Sequence, residues 1–77
     1  MSRKSELKKE IGDCEREILA YEQKRERSQT AIIRAFLSGT KPSKEDEQYF
    51  NLFTNLIDQT REKLRGLYAE LEALKKK

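Results

Sequence analysis

The chain has no histidine, one cysteine, one proline and three glycines among its 77 residues. Each scarcity removes a class of chemistry. A structural zinc site takes about four nitrogen or sulfur ligands, and without histidine this chain has almost nothing to supply them. The single cysteine, Cys14, excludes a disulfide within the chain and has no histidine to activate it as a nucleophile. Gly12, Gly39 and Gly66 are scattered, so there is no glycine-rich phosphate cradle. The acidic run Glu45-Asp46-Glu47 lacks the alternate-position spacing of a calcium loop. These absences predict a protein that is not an enzyme and takes no metal or cofactor.

Long apolar runs are missing too. None approaches the roughly 20 residues of a membrane span, so no membrane insertion is expected. The first residues, MSRKSELKKE, lack the apolar stretch of a signal peptide. With the lone thiol, this predicts a cytoplasmic protein.

Charge is abundant instead: 40% of residues, with a net charge of only +3. Acids and bases are interleaved, as in KSELKKEIGDCERE. That is the pattern of a solvated helix face rather than a phosphate-binding stripe, and it argues against nucleic acid. The closing run Lys75, Lys76, Lys77 suits the negative end of a helix dipole.

Apolar residues follow two seams. Leu7, Ile11, Cys14, Ile18 and Tyr21 are spaced alternately four and three apart, and the same steps continue through Arg25, Ser28, Ile32 and Ala35. Phe50, Phe53, Ile57, Thr60, Leu64, Leu67, Leu71 and Leu74 form a second such run. Sustained alternation of three and four is the coiled-coil signature. Between the seams, Gly39 can end a helix in the left-handed conformation, and Pro42 cannot continue one. Ser43 is placed to cap the next helix, although Asp46 stands where a capping box takes Glu or Gln. The fold class predicted is all-α: an antiparallel two-helix coiled-coil hairpin, one unit over residues 1–77. Helix 1 is expected over about 3–37, a turn over 38–43 and helix 2 over about 44–75. One constant offset pairs the seams from Ala35/Phe50 and Ile32/Phe53, through Arg25/Thr60, to Ile18/Leu67 and Ile11/Leu74. That is the expected register.

A hairpin needs only its seam to be apolar, and near the turn there is more. Tyr49, Leu52 and Leu56 share one flank with Ala31, while Ile33 and Phe36 lie on the other, with Leu19 further down. Two helices cannot bury both flanks, and a surface that wide marks a binding site for another chain. The spacing of Tyr49, Leu52 and Leu56 is that of a helix face docking in a groove, with Tyr49 as the anchor. A chain this short also gains from a partner or from self-association. The candidate partner-binding residues are therefore Tyr49, Leu52, Leu56, Ala31, Ile33 and Phe36.

Residues 34–64, RAFLSGTKPSKEDEQYFNLFTNLIDQTREKL, resemble the small co-chaperones of type III secretion needle subunits, the YscE/PscE/EscE-like group. The features that carry the resemblance are a first helix ending near Gly39, a short turn, and Gln48-Tyr49 opening the second helix with Leu52 three residues on. The resemblance implies a cytosolic adaptor that binds a larger helical-repeat chaperone and helps keep the needle subunit from polymerising early. The needle subunit is itself a small hairpin with a proline-containing turn, although this chain ends in LEALKKK rather than an apolar segment. Three classes stay open: a co-chaperone or adaptor, a self-assembling hairpin in the form of a homodimeric bundle or a needle-like subunit, and a nucleic-acid-binding hairpin.

Overall fold

In the computed structural model, which describes residues 2–76, the chain is two long helices folded back on each other. α1 spans Arg3–Leu37 and α2 spans Lys44–Lys75, with 38–43 as the turn. Together they make a rod of 58 × 16 × 16 Å. Lys75 lies in the last turn of α2 and Lys76 caps it, while Lys77 lies outside the described residues.

The helix ends follow from local chemistry. The Ser2 side chain accepts a hydrogen bond from the Ser5 amide (3.2 Å), satisfying one free donor at the start of α1. At the other end Gly39 takes φ 72°, open to glycine at little cost. Its amide donates to the Phe36 carbonyl (3.1 Å), and the Thr40 amide donates to that of Ala35 (2.9 Å). This is a Schellman termination, which turns the chain back along the helix it has just left. Ser43 then opens α2: its Oγ accepts from the Asp46 amide (3.1 Å) and donates to Asp46 Oδ2 (2.8 Å). A glutamate at that position could reach back to the Ser43 amide, but the shorter aspartate takes the hydroxyl proton instead.

The hairpin is as the seams predict; the register is not. Phe53 stacks on Tyr21, ring centroids 6.2 Å apart, instead of facing Ile32. Those two positions are eleven residues apart in sequence, about 16 Å along a helix. Arg25 lies over the Phe50 ring at 5.8 Å, where Ala35 was expected. Leu7, which the expected pairing left without a partner, is fully buried in a cluster with Ile11, Cys14, Leu67 and Leu71. Pairs outside the seam agree. Arg3 grips Glu70 in a two-pronged hydrogen bond (2.9 Å each) on one flank. On the other flank Arg61 reaches Glu22 (3.2 Å), and the Tyr68 hydroxyl donates to Glu15 (2.7 Å).

An antiparallel pairing that satisfies all these contacts is displaced by one heptad, about seven residues, from the expected one. The layers then run Leu7/Leu71, Ile11/Leu67, Cys14/Leu64, Ile18/Thr60, Tyr21/Ile57, Arg25/Phe53 and Ser28/Phe50. The turn supplies the reason. The Schellman reversal at Gly39 sends the chain back down beside the last turn of α1, so that α2 begins below the end of α1. The slip places Leu7 against a leucine and leaves Ile32 and Ala35 facing the first turn of α2, where they are only half-buried.

Arg25 was expected to meet Thr60 and does not. Half-buried, it points Nη1 to Thr54 Oγ1 (3.5 Å). The Thr60 hydroxyl donates to the Leu56 carbonyl of its own helix (2.8 Å). Ser28 and Thr60 are both buried, and no buried side-chain polar atom among the described residues lacks a partner.

Candidate protein-docking site at the tip

The tip is the end of the rod that contains the turn. Its apolar residues come from the last two turns of α1 and the first four of α2. Of the seven large hydrophobic side chains that stand exposed among the described residues, five fall between residues 33 and 52: Ile33, Phe36, Leu37, Tyr49 and Leu52. Leu37 is 84% exposed and Phe36 69%. The buried cluster, by contrast, draws every one of its residues from the opposite end.

The six predicted binding residues divide between two flanks. Tyr49 and Leu52 are exposed, with Leu56 and Ala31 half-buried beside them on the same side. Ile33 and Phe36 stand exposed on the other side, joined there by Leu37. The seam runs between the two sets.

Tyr49 is better supported than its exposure alone indicates. Its ring stacks on Phe53 at 6.3 Å with the planes 15° apart, and Phe53 in turn stacks on Tyr21. Lys24 Nζ also lies over the Phe53 ring, 5.9 Å from its centroid, a cation–π placement. Tyr49 is thus held at the edge of a three-ring stack. A shallow groove beside it is lined by Lys24, Arg27, Ser28, Asp46, Tyr49 and Phe53. Spacing alone marked Tyr49, Leu52 and Leu56 as a stripe, but the stack depended on the displaced register and could not be read without it.

The electrostatics of the two ends differ. Arg3 at the open end lies against Glu70, Glu6 and Glu10. The Arg3 guanidinium holds the Glu70 carboxyl below its ordinary range, chiefly through their hydrogen bond, and the same bond keeps Arg3 firmly charged. The hydrogen bond from Tyr68 to Glu15 pushes the phenol up from its usual value. Towards the tip, charge is divided along the chain. Residues 24–44 carry six basic side chains and one acid, and residues 45–58 carry four acids and no base. Among the described residues none of these charged groups joins an ion pair within the chain. The tip therefore offers exposed hydrophobes flanked by charges free to pair elsewhere.

No helix among the described residues is long and apolar enough to cross a membrane. No protein family, curated protein or solved structure matches the chain.

Proposed function

We propose that the chain is a protein-binding adaptor, a cytoplasmic co-chaperone that docks a helical partner through the tip of its hairpin. The observation that carries this is the placement of the exposed hydrophobes. Five of the seven exposed among the described residues gather at the turn, on a rod whose buried cluster lies at the other end. Large apolar side chains left in water at one end are the mark of an interaction surface. The phenol of Tyr49 adds area at low entropic cost and keeps its hydroxyl at a wet rim.

The resemblance of residues 34–64 to the needle-subunit co-chaperones gives this reading its specific form. The partner is then a larger helical-repeat chaperone, and the pair holds a secretion needle subunit in the cytosol before export. The test is capture from the native cell with identification of what is held. A helical-repeat protein and a small helical secreted subunit should both come down with the wild-type chain. Ile33→Ala/Phe36→Ala and Tyr49→Ala/Leu56→Ala chains should retain their helical spectrum and lose that capture, by about 2–4 kcal/mol where the residues are hot spots. Capture undiminished in both variants would place the docking surface away from the tip.

A further inference from the structure

We infer that the Tyr49 flank is the seat of a second copy of this chain, in a parallel two-fold bundle with both tips at the same end. The argument begins with which charges the hairpin leaves unpaired. On the flank opposite Tyr49 two cross-helix contacts are already made inside the chain, Glu22 with Arg61 and Glu15 with Tyr68. On the Tyr49 flank the one matched set, around Arg3 and Glu70, sits at the open end. From the middle to the tip, Glu17 and Arg34 on α1 and Glu45 and Lys63 on α2 are exposed and enter no ion pair among the described residues.

These four charges are complementary across a two-fold axis parallel to the rod. Such an axis lays α1 of one copy along α2 of the other, with the same offset as inside the hairpin. Arg34 then faces Glu45 of the second copy, and Glu17 faces its Lys63. Between these pairs the small Ala31 faces the large Tyr49, the aliphatic stem of Arg27 covers Leu52 with its charged end in water, and the stem of Lys24, whose ammonium lies over Phe53 of its own chain, lies beside Leu56. Turned end for end about the same level, the second copy would set Lys24 against Lys24, like charge on like. An isologous contact of the parallel kind uses one patch twice and closes at two copies. It also supplies the third and fourth helices that a 77-residue hairpin lacks. This pairing does not rest on the adaptor reading. Where both hold, the second copy covers Tyr49, Leu52 and Leu56, the foreign partner docks on the two sets of Ile33, Phe36 and Leu37 left at one end of the bundle, and Tyr49→Ala/Leu56→Ala loses capture because it loses the pairing.

The test is the mass of the purified chain by sedimentation, with two charge-reversed variants. Wild type should run as a dimer that dissociates on dilution and in high salt. Arg34→Glu/Glu17→Lys reverses the α1 row, and Glu45→Lys/Lys63→Glu reverses the α2 row. Each alone sets like charges face to face at all four pairs, which costs affinity on the order of a hundredfold, and should run as a monomer. Mixed in equal amounts, the two variants restore every pair and should recover the dimer mass. Circular dichroism on each variant separates lost pairing from lost folding, and recovery on mixing does so again. A wild-type chain that stays monomeric at about 100 µM, well above the range of stable interfaces, overturns the inference. So does a mixture that fails to regain the dimer mass. Either result leaves capture of a foreign partner through Phe36 to be judged on its own.

Discussion

At the open end of the hairpin Leu7 is fully buried among Ile11, Cys14, Leu67 and Leu71. At the tip Phe36 and Leu37 stand in water, and the seam is interrupted by Arg25 and Ser28. Both ends belong to the same pair of helices and obey the same spacing of three and four. The open end has leucine and isoleucine at successive seam positions and charged side chains at the flanks, so one surface is buried and the rest is wet. Towards the tip, α1 sets polar Arg25 and Ser28 in the seam against Phe53 and Phe50, and further hydrophobes occupy the flanks. A coiled-coil period therefore says where a helix can be buried, and the identity of each seam residue decides whether it buries itself or waits for another chain.

The largest effect tests the alignment that sets up this contrast. In a Cys14→Ser background, Ile18→Cys with Thr60→Cys should oxidise readily within one chain. Closing a loop of about 40 residues, that bond should raise stability by about 4 kcal/mol in the chain-entropy account. Ile18→Cys with Leu67→Cys, the pair expected from sequence, lies about 10 Å off along the axis and should stay reduced. Oxidation of the second pair in preference to the first would restore the unshifted register.

Next in size is the core itself. Leu7→Ala removes a side chain with no exposure and should cost about 3 kcal/mol, enough to erase a cooperative urea transition in a chain this small. Leu52→Ala, at the exposed tip, should move the same transition by less than about 0.5 kcal/mol. Equal losses would mean that the two ends are packed alike. The turn comes third. Gly39→Ala forces a methyl-bearing residue to φ 72° and should cost about 1 kcal/mol, and Ser43→Ala, which removes the α2 cap, a similar amount. The smallest effect is acid sensitivity at the open end. The Glu70 carboxyl is depressed in the folded state by Arg3, so its contribution is present above the ordinary carboxylate range. It is lost as pH falls through the depressed value, below the ordinary carboxylate range. Glu70→Gln should flatten that limb of the stability curve, and a limb unchanged in the variant would put the acid response elsewhere.

Two seams, a Gly-Pro break and a serine cap were enough to read an antiparallel hairpin, because helix periodicity, termination and capping are local. The register was not local. Two pairings one heptad apart satisfy the same alternation, and both keep hydrophobes opposite hydrophobes over most of their length. The choice rests on how far the chain drops back after Gly39, which the Thr40 and Gly39 amides decide through bonds to Ala35 and Phe36. The left-handed glycine was legible, but the distance it returns along α1 was not. The candidate binding residues show the same division. The stripe of Tyr49, Leu52 and Leu56 could be read from spacing alone. The support that Tyr21, Phe53 and Lys24 give to Tyr49 crosses between helices and needed the register.

Arg3 and Glu70 are hydrogen-bonded across 67 residues of chain, and the best apolar packing lies beside them. A hairpin with its strongest contacts near the turn can close like a zipper, each step bringing the next pair together. This one must bring its two ends together across nearly the full length of the chain before its strongest contacts form, and the loop entropy of that closure comes before the reward. Its folding rate should therefore fall below that of helical proteins whose contacts are local, and the slow step should respond to substitution at Leu7 and Leu71 more than at Phe50 or Phe53.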